Sequence, residues 1–341
     1  MANVSWSRCG GADCVRLAGL PPDARVQVRP RTAVVDGELP PMAGRLIRDG
    51  GDMCFVPRFA FVDGTTYAVA VGGVAAADLV RPRPDLPATT RVLDIRPTAA
   101  EVPRNLLRLY IWFSAPMSEG YAARHVALVD DAAAELAGAL LPAEHELWDG
   151  DRRRLTVLLD PARIKRGLAG HRQAGYPLRP GASFRLVVDD GFPDARGVPL
   201  RAGAQRRYQV GGEERRRVEP GGWALTVPPG RTCAPLEVRF GRPLDHGLLT
   251  RCLHVVGPDG RPVDGTPQAG PQERSWRLTP RKAWAHGSHQ LVVNPVLEDL
   301  AGNSVSRVFD RDLTRPQDEP LAPRPVTVAF RPLKSPLNKQ R

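Results

Sequence analysis

The stretch LRLYIWFSAPMSEG at 107–120 returns as APLEVRFGRPLDHG at 234–247, and this repetition indicates the architecture of the chain. At a constant offset of 127 residues, the phenylalanine, the proline after it and the final glycine coincide. In the first copy Leu109, Ile111 and Phe113 alternate with residues of the opposite face, which is the period of a half-buried strand. Two copies of such a pattern predict two copies of one folded unit.

The composition also favours short strands over long helices. The chain has 341 residues, a length typical of two or three domains, and 42% of them are hydrophobic, which is enough to form cores. Glycine and proline contribute 33 and 35 residues without a triplet period, which excludes collagen. Because both residue types interrupt helices and mark turns, the composition predicts an all-β protein.

The distance between the two copies changes farther along the chain. Trp148 matches Trp276 at an offset of 128, which predicts equivalent packed positions for the two rings. The triplet Leu-Val-Val at 186–188 matches 291–293 at an offset of only 105. The fall from 127 to 105 means that the first copy contains 22 additional residues, and we place this insert around 163–179.

Each copy has room for about seven short strands, which is the size of an Ig-like sandwich. Similar strand patterns precede the first copy, and proline-rich and charged segments at 81–87 and 211–217 are typical of linkers. The predicted fold is therefore all-β, with tandem Ig-like β-sandwich domains. The predicted units are a small N-terminal β unit at 1–82, a sandwich with a basic insert at 92–210, a sandwich at 218–313 and an extended Pro-rich tail at 314–341.

Two motifs resemble those of a known family. The segments FSAPMS at 113–118 and EDLAGN at 298–303, with the paired tryptophans, are similar to the bacterial Ig-like domain of the SbsA type, named after an S-layer protein. The resemblance covers 92–310, although the second copy reads FGRPLD at the first motif and the first copy lacks the asparagine of the last. It implies a spacer, adhesion or envelope module without a general catalytic site.

The charge is unevenly distributed along the chain. The formal net charge is +11, and 152–207 contains thirteen Lys and Arg residues against four acidic ones. Such a field would attract an anionic polymer, a membrane surface or an acidic protein. A solvated arginine-rich surface is the favoured alternative, because no aromatic-rich strand or recognition helix accompanies the charge. Five basic residues in or beside the insert form the predicted anion contact: Arg163, Lys165, Arg166, Arg172 and Arg179.

The five cysteines do not form a simple disulfide framework, because their number is odd. Cys9 and Cys14 would suit half of a zinc site or a small disulfide loop. A tetrahedral zinc site needs four ligands, and Cys54 is the obvious third, with no histidine before His125. We therefore expect free or partly paired cysteines, no metal and no cofactor.

No sequence pattern assembles a catalytic site. The chain contains no Walker loop, no nucleophile elbow and no His-Glu-x-x-His pair. His286 and His289 are interpreted as a polar strand edge. The acidic clusters at 189–194 and 298–303 would offer oxygen ligands to calcium, but Asp, Gly and Asn are common turn formers. The leading hypothesis is thus a non-enzymatic structural, adhesion or envelope-associated module; an anion-binding protein is the alternative, and an enzyme is the least favoured class.

The sequence gives broad expectations for the binding partner and the cellular location of the protein. Tyr110 and Trp112 share the outer face of their predicted strand, which suits contact with a neighbouring domain or a partner. No signal peptide and no transmembrane segment is visible. We expect a cytoplasmic chain, or an extracellular or cell-envelope one if a leader has been lost. The partner would then be a protein or an anionic polymer of the envelope.

Overall fold

The computed structural model divides into two compact units, Met1–Pro87 and Ala88–Arg341. Nearly all of its regular structure is strand, and the described part of the chain contains only four short α-helices. None of the described helices has the length and apolarity needed to cross a membrane. The structure describes residues 3–9, 11–21, 23–31, 40–82, 86–142 and 146–334. The predicted linker at 81–87 and the predicted tail lie partly outside these ranges.

The first unit is a small sandwich of two sheets. One sheet has the strand order β1-β2-β5-β4 and the other β3-β6-β7, and all pairs are antiparallel. Val15 and Phe55 of the first sheet pack with Val28 and Tyr67 of the second. The strands are β1 (Asn3–Cys9), β2 (Ala12–Ala18), β3 (Val26–Arg31), β4 (Gly44–Asp49), β5 (Asp52–Pro57), β6 (Thr66–Val71) and β7 (Val74–Val80).

The second unit begins with a sandwich whose sheets have the orders β12-β13-β10-β8 and β11-β14-β15-β9. Its apolar positions face a core that contains Ile111 and Phe113 from β10. The elements are β8 (Val92–Arg96), β9 (Glu101–Val102), β10 (Arg108–Phe113), α1 (Ala122–His125), β11 (Val126–Val129), β12 (Leu147–Trp148), β13 (Arg154–Leu158), α2 (Pro161–Ile164), α3 (Ala169–Ala174), β14 (Ser183–Val188) and β15 (Ala204–Val210).

A second sandwich completes this unit and repeats the strand order of the first, without a counterpart of β9. Its sheets are β16-β17-β20-β19 and β18-β21-β22. Asp245 caps its helix by accepting a hydrogen bond from the Leu248 amide, a role for which aspartate is well suited. The elements are β16 (Ala224–Thr226), β17 (Leu236–Arg239), α4 (His246–Cys252), β18 (Leu253–Val256), β19 (Gly265–Ala269), β20 (Ser275–Pro280), β21 (His289–Val293) and β22 (Val326–Phe330).

The strand registers correct the predicted match of the two tryptophans. Ile111 of β10 pairs with Leu155 of β13, and the equivalent Val238 of β17 pairs with Trp276 of β20. The structural counterpart of Trp276 is therefore Leu155, whereas Trp148 lies on the edge strand β12 and is only half-buried. The match at an offset of 128 was wrong because 17 residues separate β11 from β12, whereas only eight separate β18 from β19.

Sixteen of the 22 additional residues lie where the later offset places the insert, because 24 residues separate β13 from β14 and only eight separate β20 from β21. The other six precede β12, since Trp148 and Ala269, which pair with Leu155 and Trp276, are 121 residues apart. The longer connection contains α2 and α3, and Asp160 caps α2 by accepting a hydrogen bond from the Ala162 amide. Proline at the first helical position suits this start, because it has no amide hydrogen to leave unpaired. The insert is thus an ordered helical loop on one sandwich.

The C-terminal sandwich extends past residue 313. Strand β22 pairs with β21 in the same way that β15 pairs with β14. Phe330 is buried and stacks on His289, with ring centroids 5.4 Å apart, and Trp284 meets both rings edge-on. His289 is therefore a core residue, and its assignment to a polar edge was wrong. The segment at 314–341, expected to be an extended tail, supplies the last strand of this sandwich.

Candidate functional site

The basic residues of the insert divide into two groups. The guanidinium of Arg163 donates hydrogen bonds to the backbone carbonyls of Gly175, Ala174 and Gly138, at 2.7, 3.2 and 3.1 Å. Because these carbonyls belong to the end of α3 and to a neighbouring loop, Arg163 fixes the shape of the insert. These hydrogen bonds give Arg163, one of the five residues of the predicted anion contact, a structural role.

Two further basic residues of the insert contact the C-terminal sandwich. Arg166 pairs with Asp310 through Nε and Oδ2 at 2.9 Å. The Lys165 ammonium lies 4.4 Å from the centroid of the Phe309 ring, a distance that suits a cation–π interaction. Both partners belong to the long connection between β21 and β22. The insert therefore helps to join the two sandwiches.

Arg172 and Arg179 differ from these three residues. Both are exposed, and within the described part of the chain neither guanidinium forms a hydrogen bond or ion pair. They are the members of the predicted anion contact that remain open to a ligand. Anion binding by these two residues stays a prediction.

A polar junction lies between β10 and the start of α4. The Tyr110 hydroxyl donates to both carboxylate oxygens of Asp245, at 2.8 and 2.9 Å. The Trp112 ring meets His246 edge-on at 5.4 Å between centroids. Gly247 allows this approach, since a Cβ there would lie 2.8 Å from the Tyr110 hydroxyl. The expected contact of Tyr110 and Trp112 with a neighbouring domain is confirmed.

Glu273 forms a second part of the junction, in the loop before β20. Its side chain is fully buried, and Oε2 accepts hydrogen bonds from the backbone amides of Thr98 and Ala99 at 2.7 and 3.1 Å. The Arg96 guanidinium donates to Oε1 at 3.1 Å. Glu273 itself has a φ of 53°, a left-handed conformation that is uncommon for residues other than glycine. These bonds therefore hold the loop in a conformation that it would not adopt alone.

The linker between the two sandwiches is bound to both of them. The backbone carbonyl of Glu214 accepts hydrogen bonds from the side-chain Nδ2 groups of Asn105, at 2.8 Å, and Asn303, at 3.0 Å. Asn105 belongs to the first sandwich, and Asn303 ends the EDLAGN motif of the second. The motif asparagine thus has a structural task in the junction.

Protein donors surround the buried carboxylates of the junction and oppose the effect of burial on their pKa values. Burial alone would raise the pKa of Glu273, but the nearby His246, whose Nδ1 lies 3.3 Å from Oε1, and hydrogen bonds from Arg96 and the Thr98 amide outweigh it and hold the pKa below its usual value. Burial raises the pKa of Asp245, although Arg108 and Tyr110 oppose the shift. The oxygens of both carboxylates accept hydrogen bonds from protein donors, so both carboxylates stabilise the junction.

The acidic clusters considered for calcium form turns. Asp194 Oδ1 accepts hydrogen bonds from the backbone amides of Arg196 and Val198, at 2.9 and 3.1 Å. Asp299 Oδ1 does the same with the amides of Ala301 and Asn303, each at 2.9 Å. Side chains that bind nearby amides in this way define Asx turns. The turn interpretation of both clusters is confirmed.

The cysteines are unpaired, but three of them lie together in the N-terminal unit. All five are free, and Cys9, Cys14 and Cys54 bring their sulfurs within 4.8 Å of one another. Burial is the main factor that raises the pKa of the Cys14 and Cys54 thiols. The sequence offered these three residues as possible ligands but gave no sign of their convergence.

Comparison with known proteins gives only distant structural similarity. No protein-family model matches the chain, and no curated protein matches it. A fragment of Escherichia coli alpha-2-macroglobulin shows 10% identity over 72% of this chain and 91% of its own, with a TM-score of 0.24. The chicken CNTN1 FN1-FN3 domains show 12% identity over 97% and 98%, with a TM-score of 0.21. A titin fragment shows 10% identity over 89% and 94%, with a TM-score of 0.20.

Because these TM-scores are low, the fold class rests on the sheets and registers of the chain itself. Its strands form two-sheet sandwiches, nearly all of their pairs are antiparallel, and helices are few. The chain is therefore an all-β protein of tandem Ig-like sandwiches.

Proposed function

We propose that this chain is a non-enzymatic structural and interaction module in which the sandwiches of the second unit form one rigid spacer. The buried Glu273 carboxylate carries this proposal, because it holds two backbone amides and a guanidinium of the preceding sandwich. Removing a charge from water is costly, and the fixed hydrogen bonds at the junction offset this cost. Two domains that moved relative to each other would break these bonds, so the buried carboxylate indicates a fixed junction.

Other contacts support a fixed arrangement of the two sandwiches. Tyr110 binds Asp245 on one side of the junction, and Arg166 of the insert binds Asp310 on another. The linker carbonyl of Glu214 is held from both sandwiches. The resemblance of 92–310 to SbsA-type domains supports the finer part of the proposal, which is a spacer of the bacterial cell envelope.

The rigid-spacer proposal predicts slow hydrogen exchange at the junction. In the whole chain, the Thr98 and Ala99 amides should exchange as slowly as strand amides. Glu273→Gln should accelerate both by roughly ten- to a hundred-fold, because a hydrogen bond to a charged group contributes about 1.5–3 kcal/mol. Glu237→Gln, in a partly exposed pair with Arg239, is the matched control and should leave both rates unchanged. Fast exchange of both amides in the unaltered protein would contradict a rigid junction.

The envelope assignment has its own experiment. Antibody detection in fractionated source cells should recover the chain with the envelope. Recovery in the cytosolic fraction alone would reject the envelope role while leaving the rigid-spacer proposal intact.

Anion binding through the insert is the second candidate, and the exposed Arg172 and Arg179 favour it. Replacing both with Ser should abolish most retention on a heparin column, and retention of the unaltered protein should fall steeply as salt rises. Folding should be unaffected, because neither guanidinium has a partner in the described part of the chain. Arg277→Ser with Arg281→Ser, on the other sandwich, is the control pair. No retention of the unaltered protein near 50 mM salt, where such contacts are strong, would reject this candidate.

A further inference from the structure

Three cysteines share one face of the β1-β2-β5-β4 sheet. Cys9 pairs with Ala12 across the first two strands, and Cys14 lies two residues farther along β2 on the same face. Arg16, again two residues on, pairs with Cys54 of β5. The core residues of this unit, such as Val15, belong to the opposite face. The three thiols thus converge on the side of the sheet that does not form the sandwich core.

The three sulfurs lie close enough together to share one small metal ion. All three Sγ atoms lie within 4.8 Å of one another. Two thiolates on a tetrahedral zinc ion, at about 2.3 Å each, would be about 3.8 Å apart, so the Cys9 and Cys14 sulfurs, which are 2.7 Å apart, would separate by about 1.1 Å on binding. Cys14 and Cys54 are fully buried and Cys9 is 5% exposed, so the ion would be shielded from water. A disulfide would use two of these thiols and leave the third buried and unused.

Asp49 supplies a fourth donor at the rim of the cluster. Its Oδ2 lies 3.9 Å from the Cys9 sulfur, close to the separation of about 3.5 Å for a sulfur and an oxygen on one tetrahedral zinc ion. The Asp49 side chain is half exposed and pairs with Arg16 at 2.6 Å. Arg16 also pairs with Asp52 at 3.2 Å, so it keeps a partner when Asp49 turns towards the thiols.

We propose that Cys9, Cys14, Cys54 and Asp49 form a structural zinc site in the N-terminal unit. Binding replaces three S–H bonds with three Zn–S bonds and releases three protons, so no oxidant or reductant is needed. Three thiolates and one carboxylate give the filled site a formal charge of −2, which the adjacent Arg16 guanidinium partly offsets. Thiolate ligands favour zinc over the hard ions magnesium and calcium.

Metal analysis of the whole chain tests the proposal. The protein is purified with a reductant, stripped with a chelator, supplied with zinc and passed through a desalting column. We expect about one zinc ion per chain, a raised melting temperature and protection of the three thiols from alkylation. Cobalt in place of zinc should give the sulfur-to-metal charge-transfer band and the intense visible bands of a tetrahedral thiolate site. A folded chain that retains no metal would overturn the proposal.

Matched variants assign the ligands. Cys14→Ser and Cys54→Ser should each lose the zinc ion, whereas Cys252→Ser, which removes a buried thiol outside the cluster, should keep it. Asp49→Asn should weaken zinc binding by more than about ten-fold, because loss of a residue that only hydrogen-bonds to a metal ligand already weakens binding by about that factor. Asp52→Asn is the control and should leave zinc binding unchanged. If Cys14→Ser fails to fold, alkylation of the unaltered chain with and without zinc decides the question. Equal alkylation in both states, or zinc binding by every cysteine variant, would overturn the site.

Discussion

A chain that ends at residue 321 should lose the fold of its C-terminal sandwich. This truncation removes β22, which pairs with β21 along five residues from Val326 to Phe330. It leaves a strand edge unpaired and opens the core at His289 and Trp284. Deleting one buried Phe side chain costs about 3–5 kcal/mol, which is a large part of the 5–15 kcal/mol that stabilises a typical domain. Thermal unfolding should show this loss as a missing or strongly lowered transition.

The control for the truncation is a chain that ends at residue 334. It keeps β22 and the hydrogen bond from the Leu333 amide to the Pro228 carbonyl, so its melting profile should match that of the whole chain. The same reasoning predicts that a fragment of residues 218–313 will not fold alone. Equal melting profiles of the two truncated chains would show that the sandwich closes without β22.

Trp276→Ala should destabilise the C-terminal sandwich by roughly 3–5 kcal/mol, the usual cost of truncating a buried aromatic ring. Trp276 is completely buried in β20 and pairs with Val238 and Ala269 on the two neighbouring strands. Its indole nitrogen has no hydrogen-bond partner in the described part of the chain, so the cost arises from the lost apolar contacts and the cavity. Denaturant unfolding followed by circular dichroism measures the change.

Trp148→Ala is the matched control, because the sequence predicted equivalent positions for the two rings. Trp148 is half-buried on the edge strand β12 and donates a hydrogen bond to Glu146 at 2.6 Å. Its replacement should cost clearly less than that of Trp276. Equal costs would contradict the strand registers, and a loss below about 1 kcal/mol at Trp276 would show that this ring is not part of the core.

Local patterns predicted which segments form strands and which strands correspond. The alternation in 107–113 indicated one buried face, and the structure confirms it as β10. The offset of 105 matched β14 with its counterpart β21. These features depend on the local backbone conformation and on which face of the strand is apolar. A short stretch of sequence determines both properties.

The sites depended instead on contacts between distant segments. No pattern near Glu273 shows that it faces Thr98, because 175 residues separate them and the loop around Glu273 adopts an uncommon backbone conformation. The signal that pointed towards this region was the aromatic pair Tyr110 and Trp112 on the outer face of β10, which predicted a contact but not the residues on its other side.

The sequence by itself thus determined an all-β chain with a repeated sandwich and the place of its insert. Only the tertiary structure decided that β22 closes the last sandwich, that Trp148 and Trp276 are not equivalent, and that three cysteines from three strands meet on one sheet face. The physical reason is that alternation records which residues avoid water, but not which strand covers them. Strand order and register are fixed by the packing of segments that lie far apart in the chain, and no local pattern encodes that packing.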